Sequence, residues 1–151
     1  MDKILICDTR ERKNKHILDY FKKNNQDYII SKLDTGDYMY YKDYSTIIDK
    51  KDGLKELAYN LCRQAEHDRV IREIELAQSL GCKNFIFLVQ SNVKSEEDIK
   101  KWKSQHTKIK GETLLKVLKT FAEHHNVRFI FCEKKNMGER IIQLLNTNLP
   151  N

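Results

Sequence analysis

The spacing of the apolar residues changes once along this chain, and that change decides the fold class. Up to Lys51 they come in short, β-rich runs: Ile4-Leu5-Ile6-Cys7, Tyr28-Ile29-Ile30, Tyr38 to Tyr41, and Tyr44 to Ile48. From Leu54 they fall at helical spacing. Leu54, Leu57, Ala58, Leu61, Cys62 and Ala65 lay one stripe along one helix face. Glu66-His67-Asp68 interrupts the stripe, and Val70, Ile71, Ile74 and Ala77 resume it up to Gly81, a helix-stopping residue. Two later runs, Asn84 to Val89 and Val127 to Cys132, are apolar without alternation, as in strands covered on both faces. Helical stripes follow each: Leu114, Val117, Leu118, Phe121 and Ala122, then Gly138 to Leu145. Strands that give way to strand–helix alternation predict an α/β fold with a central mixed β-sheet flanked by helices.

The earlier half is predicted in more detail. Lys13 to Asn24 reads as a helix with Ile17, Leu18 and Phe21 inward, and Asp34-Thr35-Gly36 as a turn. Asp37 to Tyr41 and Tyr44 to Lys51 read as strands, with Tyr28-Ile29-Ile30 before them, as an antiparallel meander. Farther on, Ser95 is predicted to cap a helix with Asp98 near the third helical position. With 151 residues and neither an internal repeat nor a low-complexity linker, residues 1–151 are expected to form a single domain.

Composition narrows the partners. Lys and Arg total 28 against 22 Asp and Glu, a formal net charge of +6. An excess of this sign favours polyanions, nucleic acid first, because binding releases counterions from the phosphate backbone. It is equally the signature of a lysine-rich solvated surface. Ile4 to Cys7 is too short for a signal core or a membrane span, so an intracellular, cytoplasmic protein is expected. The four cysteines, Cys7, Cys62, Cys82 and Cys132, form no C-x-x-C pair, so they predict buried thiols in a reducing compartment and no zinc site.

One segment carries chemistry. In a strand, residues i and i+2 share a face, so Asp49 and Lys51 point the same way at the end of Thr46-Ile47-Ile48-Asp49-Lys50-Lys51. Asp37, just after Gly36, reaches them from a neighbouring strand. Two carboxylates beside one lysine suit a hydrated divalent cation and a water set against a phosphodiester. Asp37 and Asp49 are the metal-ligand candidates, with the Lys50 carbonyl as a further oxygen. Lys51 is the candidate for orienting the attacking water. Asp8, where the first strand ends, adds a third carboxylate, and Arg10 either holds a phosphate bidentately or pairs with Asp8 or Asp37. Arg69 and Glu73, at i and i+4, make either an exposed ion pair or a DNA contact with an outer-shell carboxylate. The pair His124-His125 points about 100° apart on a helix and forms no pincer, and Trp102 among lysines reads first as a core-packed ring. Among the tyrosines of the middle strands, Tyr38 is the candidate for a DNA contact.

The order of these motifs carries a resemblance. Cys7-Asp8-Thr9-Arg10-Glu11, Gly36-Asp37-Tyr38, Ile48-Asp49-Lys50-Lys51 and the helix with Arg69 and Glu73 together resemble the nuclease domain of the XPF/Hef structure-specific endonuclease family. That domain belongs to the restriction-endonuclease-like superfamily with PD-(D/E)XK sites. The segment running into Glu56-Leu57-Ala58 is similar to short stand-alone bacterial and phage members. The resemblance implies Asp8, Asp37 and Asp49 as catalytic, metal-holding aspartates, Arg10 as the active-site arginine and Lys51 as the catalytic lysine. Glu11 and Glu73 are implied in the outer shell, with Arg10, Lys50 and Arg69 on DNA. It implies Mg2+ or Mn2+ as cofactor, branched DNA as substrate, and a homodimer or heteromeric partner. Two departures stand out: Asp49-Lys50-Lys51 replaces the family's E-R-K, and Lys55 stands where a further aspartate is usual. Leu114, Leu118, Ile141, Leu144 and Leu145 are candidates for an interface or, more simply, for the core. The alternative reading is a catalytically silent DNA-binding or scaffold subunit of a nuclease complex.

Overall fold

The computed structural model describes residues 3–147, so the first two and last four residues of the expected 1–151 domain lie outside it. The chain runs β1 (Leu5–Cys7), α1 (Lys15–Lys23), β2 (Tyr28–Ile30), β3 (Tyr38–Tyr40), β4 (Asp43–Lys51), α2 (Leu54–Cys62), α3 (Gln64–Ser79) and β5 (Asn84–Gln90). It continues through α4 (Glu96–Lys100), α5 (Gly111–His125), β6 (Val127–Cys132) and, after a 3-10 turn, α6 (Met137–Asn146). The six strands form one sheet in the order β2-β1-β3-β4-β5-β6. β4, β5 and β6 are parallel neighbours, β3 is antiparallel to both β1 and β4, and β2 is parallel to β1. This is the mixed, helix-flanked sheet that the apolar pattern predicts.

The continuous apolar runs have a direct cause. Both faces of the central strands are covered, so inward and outward residues alike are apolar. On one face Ile47, Phe85, Phe87 and Val89 pack under α2, α3 and α5 with Leu57, Ile74, Leu114 and Phe121. On the other, Ile48, Ile86 and Leu88 pack under α1 and α6 with Ile17, Phe21, Ile141 and Leu144. Phe87 stacks on Phe129 at 5.0 Å between ring centres. The period-2 alternation of β4 continues past its apolar part. Asp49 and Lys51 leave on the Ile47 face, and Lys50 leaves on the Ile48 face.

Several local expectations need correction. β2 is not the neighbour of β3: β1 lies between them, and β2 takes the sheet edge. A strand, a helix and a parallel strand form a compact crossover unit, and that β1-α1-β2 unit overrides the hairpin reading. The long helix breaks at Arg63 (φ −95°, ψ 128°), not at Glu66-His67-Asp68. Those acidic residues sit in the first two turns of α3, where the helix dipole favours negative charge. Leu114, Leu118, Ile141, Leu144 and Leu145 are all buried within this chain, which settles them as core rather than interface. Ser95 caps α4 as expected, its side chain accepting from the Asp98 amide at 3.4 Å. No helix among the described residues is long and apolar enough to cross a membrane.

Candidate active site

The C-terminal end of β4 is the platform of the site. Gly36, at φ +77°, turns the chain into β3 so tightly that a Cβ there would lie 2.3 Å from Ile47 Cγ2. That close approach lets the Asp37 amide donate to the Ile48 carbonyl at 2.8 Å. The Asp37 carboxylate then folds back over the strand and accepts from the Lys50 amide at 2.7 Å. Asp49 emerges on the same side and meets it. Gly53, at φ +111°, swings the chain straight from Lys51 into α2, which brings Glu56 and Asn60 over the strand end.

These residues line one cleft of about 530 Å3, together with Asp8, Arg10, Glu11, Thr35, Glu66, Arg69 and Glu73. Its floor is negative. Burial, then the charge of Asp49 and a hydrogen bond with it, push Asp37 well above the ordinary carboxylate range. Burial and the charge of Asp49 also raise Glu73. Lys51 answers this charge. Its ammonium lies 3.4 Å from Asp49 Oδ2 and 5.8 Å from the centre of the Phe87 ring. Burial works against the ammonium, but Asp49, Glu56, Asp37 and Glu73 outweigh it and hold the lysine above its usual value.

The α3 wall is a second network. Arg69 donates to Glu73 at 2.7 Å, to Glu66 at 2.9 Å and to Asn60 Oδ1 at 2.8 Å. The same Asn60 oxygen accepts from Lys51 at 3.4 Å. Thr35 donates to the Glu73 carbonyl at 2.9 Å, which ties the loop before Asp37 to α3. Arg69 and Glu73 are thus ion-paired, as one of their two readings has it, and they also line the cleft.

Three sequence-based assignments change. The Asp8 carboxylate is saturated: Oδ1 accepts from the Leu33 amide at 2.8 Å, and Oδ2 accepts from Arg10 Nε at 2.9 Å and the Arg10 amide at 3.2 Å. It therefore anchors Arg10 and the loop after β2 instead of offering its oxygens to a metal. Arg10 pairs with Asp8, not Asp37, and still leaves 64% of its side chain in solvent. Lys50 is no DNA contact, because its side chain is 1% exposed. Its ammonium sits among Asp52 (3.0 Å), the Arg12 carbonyl (3.1 Å), the Lys13 carbonyl (3.3 Å) and Glu11 (3.4 Å). Glu11 accordingly faces Lys50 and the Arg12 amide, with its carboxyl raised by burial. Tyr38 is fully buried, its hydroxyl accepting from Asn14 at 3.3 Å, so it is a core residue and meets no DNA.

Among the described residues no group of three or more Asp, Glu, His or Cys side chains forms a ready-made metal cage. Mg2+ asks for less, since it keeps most of its waters and takes one or two carboxylates. The paired Asp37 and Asp49, held together at a charge cost that a cation would relieve, fit that demand.

The profile of the ERCC4 domain matches residues 7–145, nearly the whole chain. The chain belongs to the ERCC4 domain family. Among solved structures, XPF from Aeropyrum pernix superposes with a TM-score of 0.69 at 14% identity, over 94% of this chain and 63% of that one. At that identity the likeness is one of fold, and this chain spans less than two thirds of that protein's length. No curated protein matches the sequence. The resemblance carried by the aspartate and lysine motifs is therefore borne out at the level of family and fold.

In this ERCC4 domain the cleft also holds residues that sequence reasoning passed over. Asn60 and Glu56 lie on α2, and Glu66 opens α3. The signal for Asn60 was present: it is a polar residue on the inward side of a helix whose Leu57 and Leu61 are core.

Proposed function

We propose that this ERCC4 domain, as a single XPF-type nuclease domain, is a Mg2+- or Mn2+-dependent DNA endonuclease. The DNA it cuts would be branched, with flaps or forks as substrates in recombination, repair or phage DNA processing. One observation carries the reading: two mutually repelling carboxylates, Asp37 and Asp49, share a cleft with the ammonium of Lys51. Asp37 and Asp49 would hold the cation, which when bound offsets phosphate charge and makes a water more acidic. Lys51 orients the attacking water and takes part in its proton balance. Arg10, fixed at its base by Asp8 and free at its tip, grips a phosphate of the cut strand. Arg69 supports a neighbouring phosphate, and Glu73 stands in the outer shell behind Asp49. Glu11 acts one step farther out, by holding Lys50 and with it the strand that carries Asp49.

The test is cleavage of end-labelled fork, flap, linear duplex and single-stranded DNA with Mg2+, Mn2+ or chelator. Metal-dependent cuts near the branch are expected. Asp37→Ala and Lys51→Ala should each slow cutting by about 10²–10⁴-fold with DNA retention largely kept. Variants that cut like the parent would remove the assignment. A parent that holds forks yet cuts nothing with either metal would leave a silent DNA-binding subunit as the better account.

A further inference from the structure

The inward face of α2 is apolar except at one place. Asn60 sits between Leu57 and Leu61 and is 5% exposed. An amide buried there has lost its water and must find protein partners. It finds three. Nδ2 donates to the Glu56 carbonyl, four residues back, at 2.7 Å. That bond fixes which way the amide faces and turns Oδ1 toward the cleft. Oδ1 then accepts from Arg69 Nη2 at 2.8 Å and from Lys51 Nζ at 3.4 Å.

One neutral oxygen thus joins two cations that arrive from β4 and α3. A carboxylate in the same place would add a third charge beside Asp49 and Glu73. An apolar side chain would leave the two cations facing each other with nothing between them. The amide dipole does neither, and it satisfies both donors without neutralising them. It also sets where Lys51 stops. The other direct oxygen on the ammonium is Asp49 Oδ2, also at 3.4 Å, and Glu56, Asp37 and Glu73 act on it through their charge alone. With one anchor on β4 and one on α2, the tip is held between them. With Asp49 alone, it is free to swing into that carboxylate.

We infer that Asn60 is a positioning residue: its amide oxygen holds the Lys51 ammonium at its working distance from Asp49 and ties it to Arg69. The inference rests on the nuclease reading for its effect on rate, though not for its effect on Lys51 itself. Two substitutions separate positioning from packing. Asn60→Leu keeps similar volume and removes the acceptor, and Asn60→Asp keeps an acceptor oxygen in place.

Single-turnover cleavage of a fork with Mn2+, DNA affinity, and reductive methylation of lysines read by mass spectrometry make the test. Asn60→Leu should cut about 10–100-fold more slowly, since small misplacements of a reacting group carry costs of that size. Its DNA affinity should stay within about threefold of the parent, because the loss falls on the chemical step. Asn60→Asp should recover most of the rate. Lys51 should resist methylation in the parent and in Asn60→Asp, and become modified in folded Asn60→Leu. If Asn60→Leu does not fold, Asn60→Ser replaces it with the same expectations. Parent-like cutting by Asn60→Leu with Lys51 still protected would overturn the inference. So would an Asn60→Asp variant that is slowed as much as Asn60→Leu, because packing alone would then explain the site. A parent that never cuts would defeat the nuclease reading, while the methylation pattern would still decide the role of Asn60.

Discussion

Asp37 is the residue on which the charge balance of the cleft turns. Burial and Asp49 raise its carboxyl, so the folded protein holds a proton there that the unfolded chain gives up at lower pH. The sign follows. The stabilisation is complete below the ordinary carboxylate range and is lost as pH rises through the raised value. Metal-free protein should therefore lose stability from mildly acidic to neutral pH, and Mg2+ should restore it by binding the folded state alone. Asp37→Asn keeps the acceptor for the Lys50 amide and removes the repulsion. In chelator at neutral pH it should be about 1 kcal/mol more stable than the parent, with a flatter pH profile, by denaturant unfolding. Some slope should persist, because Glu11 and Glu73 are raised in the same sense. Equal pH profiles for parent and variant would contradict this account. Lys50 makes a converse case. Removing its ammonium in Lys50→Ala leaves the Glu11 carboxyl buried without its cation, at a cost of about 3–5 kcal/mol in unfolding free energy. The sequence announced Asp49 and Lys51, because a period of two puts them on one face. It did not announce that Lys50 turns inward, since a lysine beside two apolar residues at a strand end reads as solvated until its oxygen partners are known.

Among the elements, β4 does most to organise the site, and Gly36 is its most exacting neighbour. A side chain at Gly36 meets both a left-handed backbone and Ile47 Cγ2 at 2.3 Å. Gly36→Ala should cost about 2–4 kcal/mol in denaturant unfolding and should slow any cleavage by displacing Asp37. A variant with the parent's unfolding midpoint would show that the turn is looser than described. The apolar period made β4, β5, α2, α3 and α5 legible, because each is long enough to repeat its pattern. β2 was legible as a strand but not in its place. Three residues carry no register, and only the crossover through α1 sets them on the outer edge of β1. The break at Arg63 was hidden for a related reason: Glu66 and Asp68 mark a helix start as well as they mark an interruption, and the stripe on either side is the same.

The whole molecule combines a net charge of +6 with a cleft whose floor is acidic. Long-range attraction to DNA therefore comes from the basic surface, while the cleft itself repels phosphate until a cation enters. Fork binding in chelator should weaken steeply with salt, and Arg10→Ala should lower the magnitude of the log–log slope by about 0.9, the value of one phosphate contact. An unchanged slope would remove Arg10 from the DNA. The fold and family were legible from motif order across nearly the whole chain, as the ERCC4 match over residues 7–145 bears out. Asn60 and the Lys50 cage were not, because both depend on contacts between segments. The central claim is that Asp37 and Asp49 together seat a divalent cation, and calorimetric titration of the DNA-free protein with Mn2+ tests it most directly. The expected result is saturable binding accompanied by proton release near neutral pH, lost in Asp37→Ala and in Asp49→Ala but kept in Lys51→Ala. Saturable binding that survives both aspartate substitutions, or no binding by the parent, would contradict it.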